Sequence, residues 1–213
     1  MAPTASDAIV CGDPARALLI AESLLVAPRM SNHHRGLWGY LGTDLEGREL
    51  TVQATGIGGP SAAVVVEELA RLGVRRLIRV GGARAAGPGL PLGAGVAVEA
   101  AVSGDGASRA FGAESGVALV PDPALLDGLR SRLAHRGRIS SRDLHLPAGA
   151  GAVPGTVASD LQSASVFAAS ARYGIAAAAA VLLVEVDGIR LEDDPMDAGM
   201  RRLAAVAQQT LAG

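Results

Sequence analysis

The stretch Ala8-Ile9-Val10-Cys11-Gly12-Asp13-Pro14-Ala15-Arg16-Ala17-Leu18-Leu19-Ile20 decides the fold. Four apolar or small residues end at a glycine, and an Asp-Pro pair then opens a helical pattern. The run 8–11 reads as a short buried strand. Asp13 can cap the helix that follows, and Pro14 suits its first position, where no amide hydrogen is needed. Ala17, Leu18, Ile20, Ala21 and Leu24 form the apolar side of that helix. The same strand, glycine turn and helix recur downstream. Thr55-Gly56-Ile57-Gly58-Gly59-Pro60-Ser61 feeds a helix with the stripe Ala62, Val65, Val66, Leu69 and Leu72, which stops at Gly73. Residues 76–80 form the next strand, ending at Gly81-Gly82.

Working outward, residues 37–43 and 48–55 read as two strands joined by a turn, and residues 95–102 as another strand. Residues 123–135 read as a helix and 138–141 as a short strand, followed by a Gly/Ala/Pro-rich loop over 147–156. A helix over 159–173 closes at Gly174, a strand covers 175–184, and a terminal helix covers 201–211. Alternating strands and helices predict an α/β fold with a largely parallel or mixed sheet. With neither an internal repeat nor a composition break, residues 1–213 are expected to form one domain.

Hydrophobic residues make up 49% of the chain, enough for a large core. Aromatics are only 2%, so that core must be built from Ala, Val and Leu. The formal net charge of −2 gives no reason to expect nucleic acid or an anionic membrane as partner. The single cysteine, Cys11, excludes an internal disulfide and agrees with a reducing cytoplasm. The start is polar and lacks a basic segment followed by an apolar one, so no secretory signal is read. The apolar run 175–184 is too short to span a bilayer. Four histidines and one cysteine show no ligand spacing, and no metal is expected.

A glycine turn before a helix is by itself often only a tight connection. Several motifs in one order carry more. Gly12-Asp13-Pro14-Ala15-Arg16, then Asn32-His33-His34-Arg35-Gly36, residues 55–61, residues 67–74 and Arg79-Val80-Gly81 together resemble the nucleoside phosphorylase family. The segment 54–80, with Asp105-Gly106-Ala107-Ser108 later, is most similar to the uridine phosphorylase branch. The resemblance is densest over residues 8–108 and returns at 159–167 and near Asp187. It implies a three-layer α/β/α sandwich with a central mixed sheet, assembled as a homodimer or as a hexamer of three dimers, in the cytoplasm. It also implies phosphorolysis, in which inorganic phosphate is co-substrate and a nucleoside is split into a sugar 1-phosphate and a free base; no further cofactor is implied. The phosphate roles fall on Gly12, Arg16 and Arg79, with Arg35 reaching phosphate across a subunit interface.

Elementary chemistry agrees with such a site. Glycine lets backbone amides approach an oxyanion, a helix start adds positive potential, and guanidinium forks match phosphate oxygens. Arginines converging on one point repel each other unless an anion sits between them. Taken singly, each arginine also reads as a surface charge, least so Arg79, which ends an apolar strand at a glycine turn.

The sugar and base contacts depart from the family pattern. Gly82 stands in the phosphate site where a threonine or serine is usual, and Arg84 where a glycine is usual. The Glu-Met-Glu stretch that holds the sugar reads Asp160-Leu161-Gln162 here, which puts Leu161 and Gln162 at the sugar. Ser159-Asp160-Leu161-Gln162 also fits a capping box, with Gln162 closing a helix start. The residues that read uracil would fall near Gly149, Gly151 and Gly188, and none is kept. The aromatic that packs the nucleoside aligns with His145, which can stack on a base, bond to it, or sit idle in a loop. Asp187 falls where purine-specific relatives carry the acid that protonates the base; it reads either as that acid, tuned by Glu185, or as an Asp-Gly turn. Purine-like or modified nucleosides are therefore the expected substrates. A nucleosidase of the same fold and a non-catalytic phosphate- or nucleotide-binding homologue are the alternatives.

Overall fold

The computed structural model describes residues 4–87, 89–145 and 153–213. In chain order the elements are β1 (Asp7–Cys11), α1 (Pro14–Leu24), β2 (Val26–Asn32), a 3₁₀ turn (His34–Gly36), β3 (Gly39–Thr43), β4 (Glu49–Ala54), α2 (Gly58–Leu72) and β5 (Arg76–Ala85). There follow β6 (Gly95–Gly104), α3 (Gly106–Ala110), β7 (Ala118–Leu119), α4 (Pro123–Arg130), β8 (His135–Arg142), β9 (Ala158–Asp160), α5 (Ser163–Tyr173), β10 (Ala176–Val186), β11 (Ile189–Arg190) and α6 (Asp193–Ala212). All strands belong to one mixed sheet, ordered β11-β10-β6-β8-β9-β5-β1-β4-β3-β2, with β7 beside β6. Because β10 also pairs with β5, the strands β5, β10, β6, β8 and β9 close into a ring.

Helices cover both faces of this sheet. Residues from α2, α3 and α5 pack one face, and residues from α1, α4 and α6 pack the other. β10 shows why an alanine-rich run works as a central strand. Ala177, Ala179, Val181 and Leu183 join one core, while Ala178, Ala180 and Leu182 join the opposite one. A strand buried on both faces needs apolar residues at every position rather than at alternate ones. On the described residues no helix is long and apolar enough to cross a membrane.

Long-range pairing moved several expected boundaries. β5 continues through Gly81-Gly82 because β10 pairs along it as far as Arg84. The helix expected over 123–135 stops at Arg130, since His135 is claimed by β8, where it pairs with Val96 of β6. The helix expected from residue 159 begins at Ser163, because Ala158 and Ser159 pair with β5 and β8. β2 carries Pro28 and had no alternating pattern to reveal it; it is an edge strand, where a missing amide hydrogen is tolerated. The terminal helix starts eight residues before Arg201, at Asp193. Of the loop expected over 147–156, residues 147–152 lie outside the described residues.

Candidate active site

β1, β4, β5 and β10 run parallel where they pair, and their carboxyl ends meet at one cleft of about 630 Å³. Such ends are where open α/β sheets bind ligands. At one end of the cleft, Gly12 leaves β1 and Asp13 caps α1, its Oδ1 accepting from Ala15 N at 2.7 Å and Arg16 N at 3.3 Å. The cap takes the amides a free helix start would offer, so the positive character here comes mainly from side chains. A Cβ on Gly12 would lie 3.3 Å from the Gly56 carbonyl oxygen, so a side chain is crowded out. The glycine turn is stitched to β1: Thr55 donates from N (2.7 Å) and Oγ1 (3.0 Å) to the Cys11 carbonyl. Gly56 and Gly58 take φ of 73° and 81°, a conformation that suits glycine.

Arg79 sits between β1 and β10 in register, opposite Val10 and Ala179, and only 4% of it is exposed. Its guanidinium folds back over Gly81, where a Cβ would fall 2.6 Å from Cζ. Nη2 meets Asp160 Oδ2 at 3.1 Å, while Nε and Nη1 are buried with no hydrogen-bond partner. Asp160 is itself held on several sides, accepting from Ser141 Oγ (2.6 Å), Ser163 Oγ (2.7 Å) and Ser163 N (3.1 Å). A buried donor left without a partner costs about 1–3 kcal/mol, and Nε and Nη1 of Arg79 are two such nitrogens. Arg16 also lines the cleft and points Nη2 at the Met196 thioether, an acceptor weak enough for an anion to displace. Arg35, in the exposed 3₁₀ turn with φ 58°, stands at the cleft's edge. Cys11 lines the cleft too, but burial pushes its thiol up to about 12, so it is no nucleophile at neutral pH.

The other end of the cleft is charged differently. Arg84 and Arg190 both face Glu185, at 3.3 Å and 3.9 Å to Oε2. His145 is at the same end, held below the ordinary histidine range by partial burial and by the positive charge of Arg84.

A family model described as the phosphorylase superfamily matches residues 6–212. This chain belongs to that superfamily. Uridine phosphorylase of Haemophilus influenzae is 44% identical over 104 residues, 49% of this chain and 40% of the relative. A DeoD-type purine nucleoside phosphorylase of Clostridium perfringens is 51% identical over 71 residues, 33% of this chain and 30% of the relative. The chain's matches thus span well under half the length of these curated relatives. The crystal structure of uridine phosphorylase from Vibrio fischeri superposes with a TM-score of 0.87 at 25% identity, covering 98% of this chain and 92% of that one.

Within this superfamily fold, the cleft brings together Gly12, Arg16, Arg35, Arg79, Gly82, Leu161, Gln162 and His145. It does not bring in Asp187. That residue occupies the tip of the β10–β11 hairpin with Gly188, both at positive φ (49° and 79°), and it is exposed. Two successive positive φ values are what a two-residue hairpin turn demands, so Asp187 takes the turn geometry and stands outside the residues that line the cleft. Gln162 fits neither earlier reading alone. It does not close the helix start; its Nε2 donates to the carbonyls of Gly56 (2.7 Å) and Gly58 (3.1 Å), and its Oε1 accepts from Thr55 Oγ1 at 3.2 Å. Its amide pins the glycine turn, and only Oε1 keeps spare capacity for a hydroxyl. Asp160 supplies the helix-start bonds instead. At Gly82 a Cβ would lie 3.2 Å from Val184 Cγ1, so a hydroxylated side chain there would have to press the valine aside by a few tenths of an ångström. Gly149 and Gly151 lie outside the described residues. Sequence reasoning missed Arg190 altogether. The signal was the Asp-Gly turn itself, because a two-residue hairpin places Glu185 opposite Arg190.

Proposed function

We propose that this chain is a phosphate-dependent nucleoside phosphorylase, splitting the N-glycosidic bond of a purine-like or modified nucleoside. The observation that carries the reading is Arg79, buried and oriented by Asp160, with its Nε and Nη1 nitrogens unpartnered in the cleft that Gly12 and Arg16 also line. Phosphate placed there attacks the anomeric carbon. The C–N bond breaks with its electron pair going to the base, which takes up a proton, and the sugar leaves as its 1-phosphate. The protein's share is placement of the anion and stabilisation of charge. Leu161 borders the sugar, and Gln162 Oε1 accepts from one hydroxyl.

The deciding experiment incubates the purified protein with purine and pyrimidine nucleosides, with and without phosphate, and follows base release. Release that requires phosphate supports the reading; release without it identifies a nucleosidase. A second reading, a non-catalytic phosphate-binding homologue, is favoured by glycine at position 82, which offers no hydroxyl, and by the tied amide of Gln162. No release from any nucleoside, with thermal stabilisation by phosphate, selects it. Arg35 is assigned to the anion across a homodimer interface. Mixing Arg35→Ala subunits with Arg79→Ala subunits then restores part of the activity, and no recovery places Arg35 in its own chain's site.

A further inference from the structure

Strand register sets three charged residues in one row across the far end of the cleft. β5 and β10 pair Arg84 with Glu185, and β10 and β11 pair Glu185 with Arg190. The register shift between Leu183 and Glu185 is a bulge-like irregularity, the kind of feature that re-aims a side chain beside a site. All three residues line the cleft. Both arginines approach the same carboxylate oxygen, each through Nε, at 3.3 Å and 3.9 Å. Among the described residues the Nη atoms of Arg84 and Arg190 have no hydrogen-bond acceptor. One carboxylate thus faces two guanidinium groups, and the row keeps an excess positive charge.

Neither Asp13, which also lines the cleft, nor the buried Asp160 neutralises it. Asp13 is engaged by the amides of α1, and Asp160 by Arg79 and the start of α5. Arg79 lays its guanidinium over Gly81 and against Asp160, whereas Arg84 turns its Nε to Glu185, so the two arginines answer to different carboxylates. A neutral ligand filling this end would cover Arg84, already only 30% exposed at its side chain, without supplying an acceptor.

We propose that Arg84 and Arg190 form a second anion subsite. It takes a nucleoside bearing a carboxylate or phosphate remote from the attacking phosphate, either on the base or at the 5′ position of the sugar. The inference rests on the phosphorylase reading only for the placing of the sugar between the two ends. Two guanidinium forks approaching from the strands on either side of β10 can clamp a planar or tetrahedral oxyanion, with Glu185 of β10 between them.

Calorimetry in phosphate-free buffer tests this with uridine, orotidine and uridine 5′-monophosphate, and with inosine and inosine 5′-monophosphate. At least one anionic compound is expected to bind on the order of tenfold tighter than its neutral parent, the effect of one charge-assisted contact. Orotidine as the favoured ligand puts the anion on the base, and a monophosphate puts it on the sugar. The paired substitutions Arg84→Gly and Arg190→Ala should abolish the preference while leaving affinity for inorganic phosphate unchanged, which also shows that the variant is folded. Glu185→Gln should strengthen it. Equal or tighter binding of both neutral parents overturns the proposal. So does a preference that survives in the double variant, because the added anion then sits at Arg79. Failure of the phosphorylase reading is seen separately, as absent phosphate-dependent release with the anion preference intact.

Discussion

The two ends of the cleft hold positive charge in opposite ways. At the Arg79 end the guanidinium is buried, braced by a buried carboxylate, and laid over a glycine that leaves it room. At the Arg84 end the charges sit on strand ends near solvent and share one half-buried glutamate through long contacts. A buried, oriented charge has its solvation removed in advance and can bind an anion with little reorganisation. Only Arg190 of that row is open to solvent, at 72% side-chain exposure, and its long contact contributes little to stability. The first end is thus tied to the folding of the core, whereas the second depends on strand register and on one exposed arginine.

The largest effect should come from separating Arg79 from Asp160. Arg79→Met leaves a buried carboxylate uncompensated, so chemical denaturation should show a loss of about 3–5 kcal/mol. Adding Asp160→Asn should recover part of the stability and none of the phosphate affinity. Recovery of phosphate binding in the double variant would break the claim that Arg79 itself holds the anion. Gly81→Ala is the next test, since its methyl must displace the guanidinium. Phosphate affinity should fall on the order of tenfold or more, a loss of one or two charge-assisted bonds, with the fold kept by circular dichroism.

Gln162→Ala removes both donors that hold the Gly56 and Gly58 carbonyls, at a cost of about 1–3 kcal/mol. If Gln162 touches only the sugar, thermal stability should not move. Cys11 gives a pH signature. Its folded pKa lies near 12 against an ordinary value of 9.0, because burial disfavours the thiolate. Below pH 9 the thiol is protonated in both states and adds no slope. Between pH 9 and 12 unfolding releases its proton, so stability falls as pH rises, and Cys11→Ala should remove that part of the decline in urea titrations. The smallest effect belongs to the far end. Arg190→Ala should change stability by less than about 1 kcal/mol. Arg84→Gly should let the His145 pKa rise toward the ordinary value, as NMR titration would show, because Arg84 is one of the two chief causes holding it down.

The sequence carried the local geometry at the Gly12 end of the cleft almost completely. Gly12, Asp13, Pro14 and Arg16 are neighbours in the chain, and a cap with a proline at the first helical turn is a local device that needs no tertiary information. Gly73 and Gly174 likewise mark helix ends by their left-handed backbone, φ 104° and 70°. Where the reading went astray, distant strands decided. His135 follows a helical pattern yet joins β8, and Ser159 resembles a helix cap yet pairs with Arg84 of β5.

Local chemistry therefore determined the strand–glycine–helix units, the alanine-rich buried strand and the candidate phosphate residues, because each depends on side chains within one turn or one strand. Tertiary structure alone decided what those residues touch. It tied Gln162 to the glycine turn a hundred residues away, put Asp160 against Arg79, moved Asp187 to a hairpin tip, and aligned Arg84, Glu185 and Arg190. Strand register is set by cooperative pairing across the sheet and by packing on both its faces, and no short window of sequence contains that information.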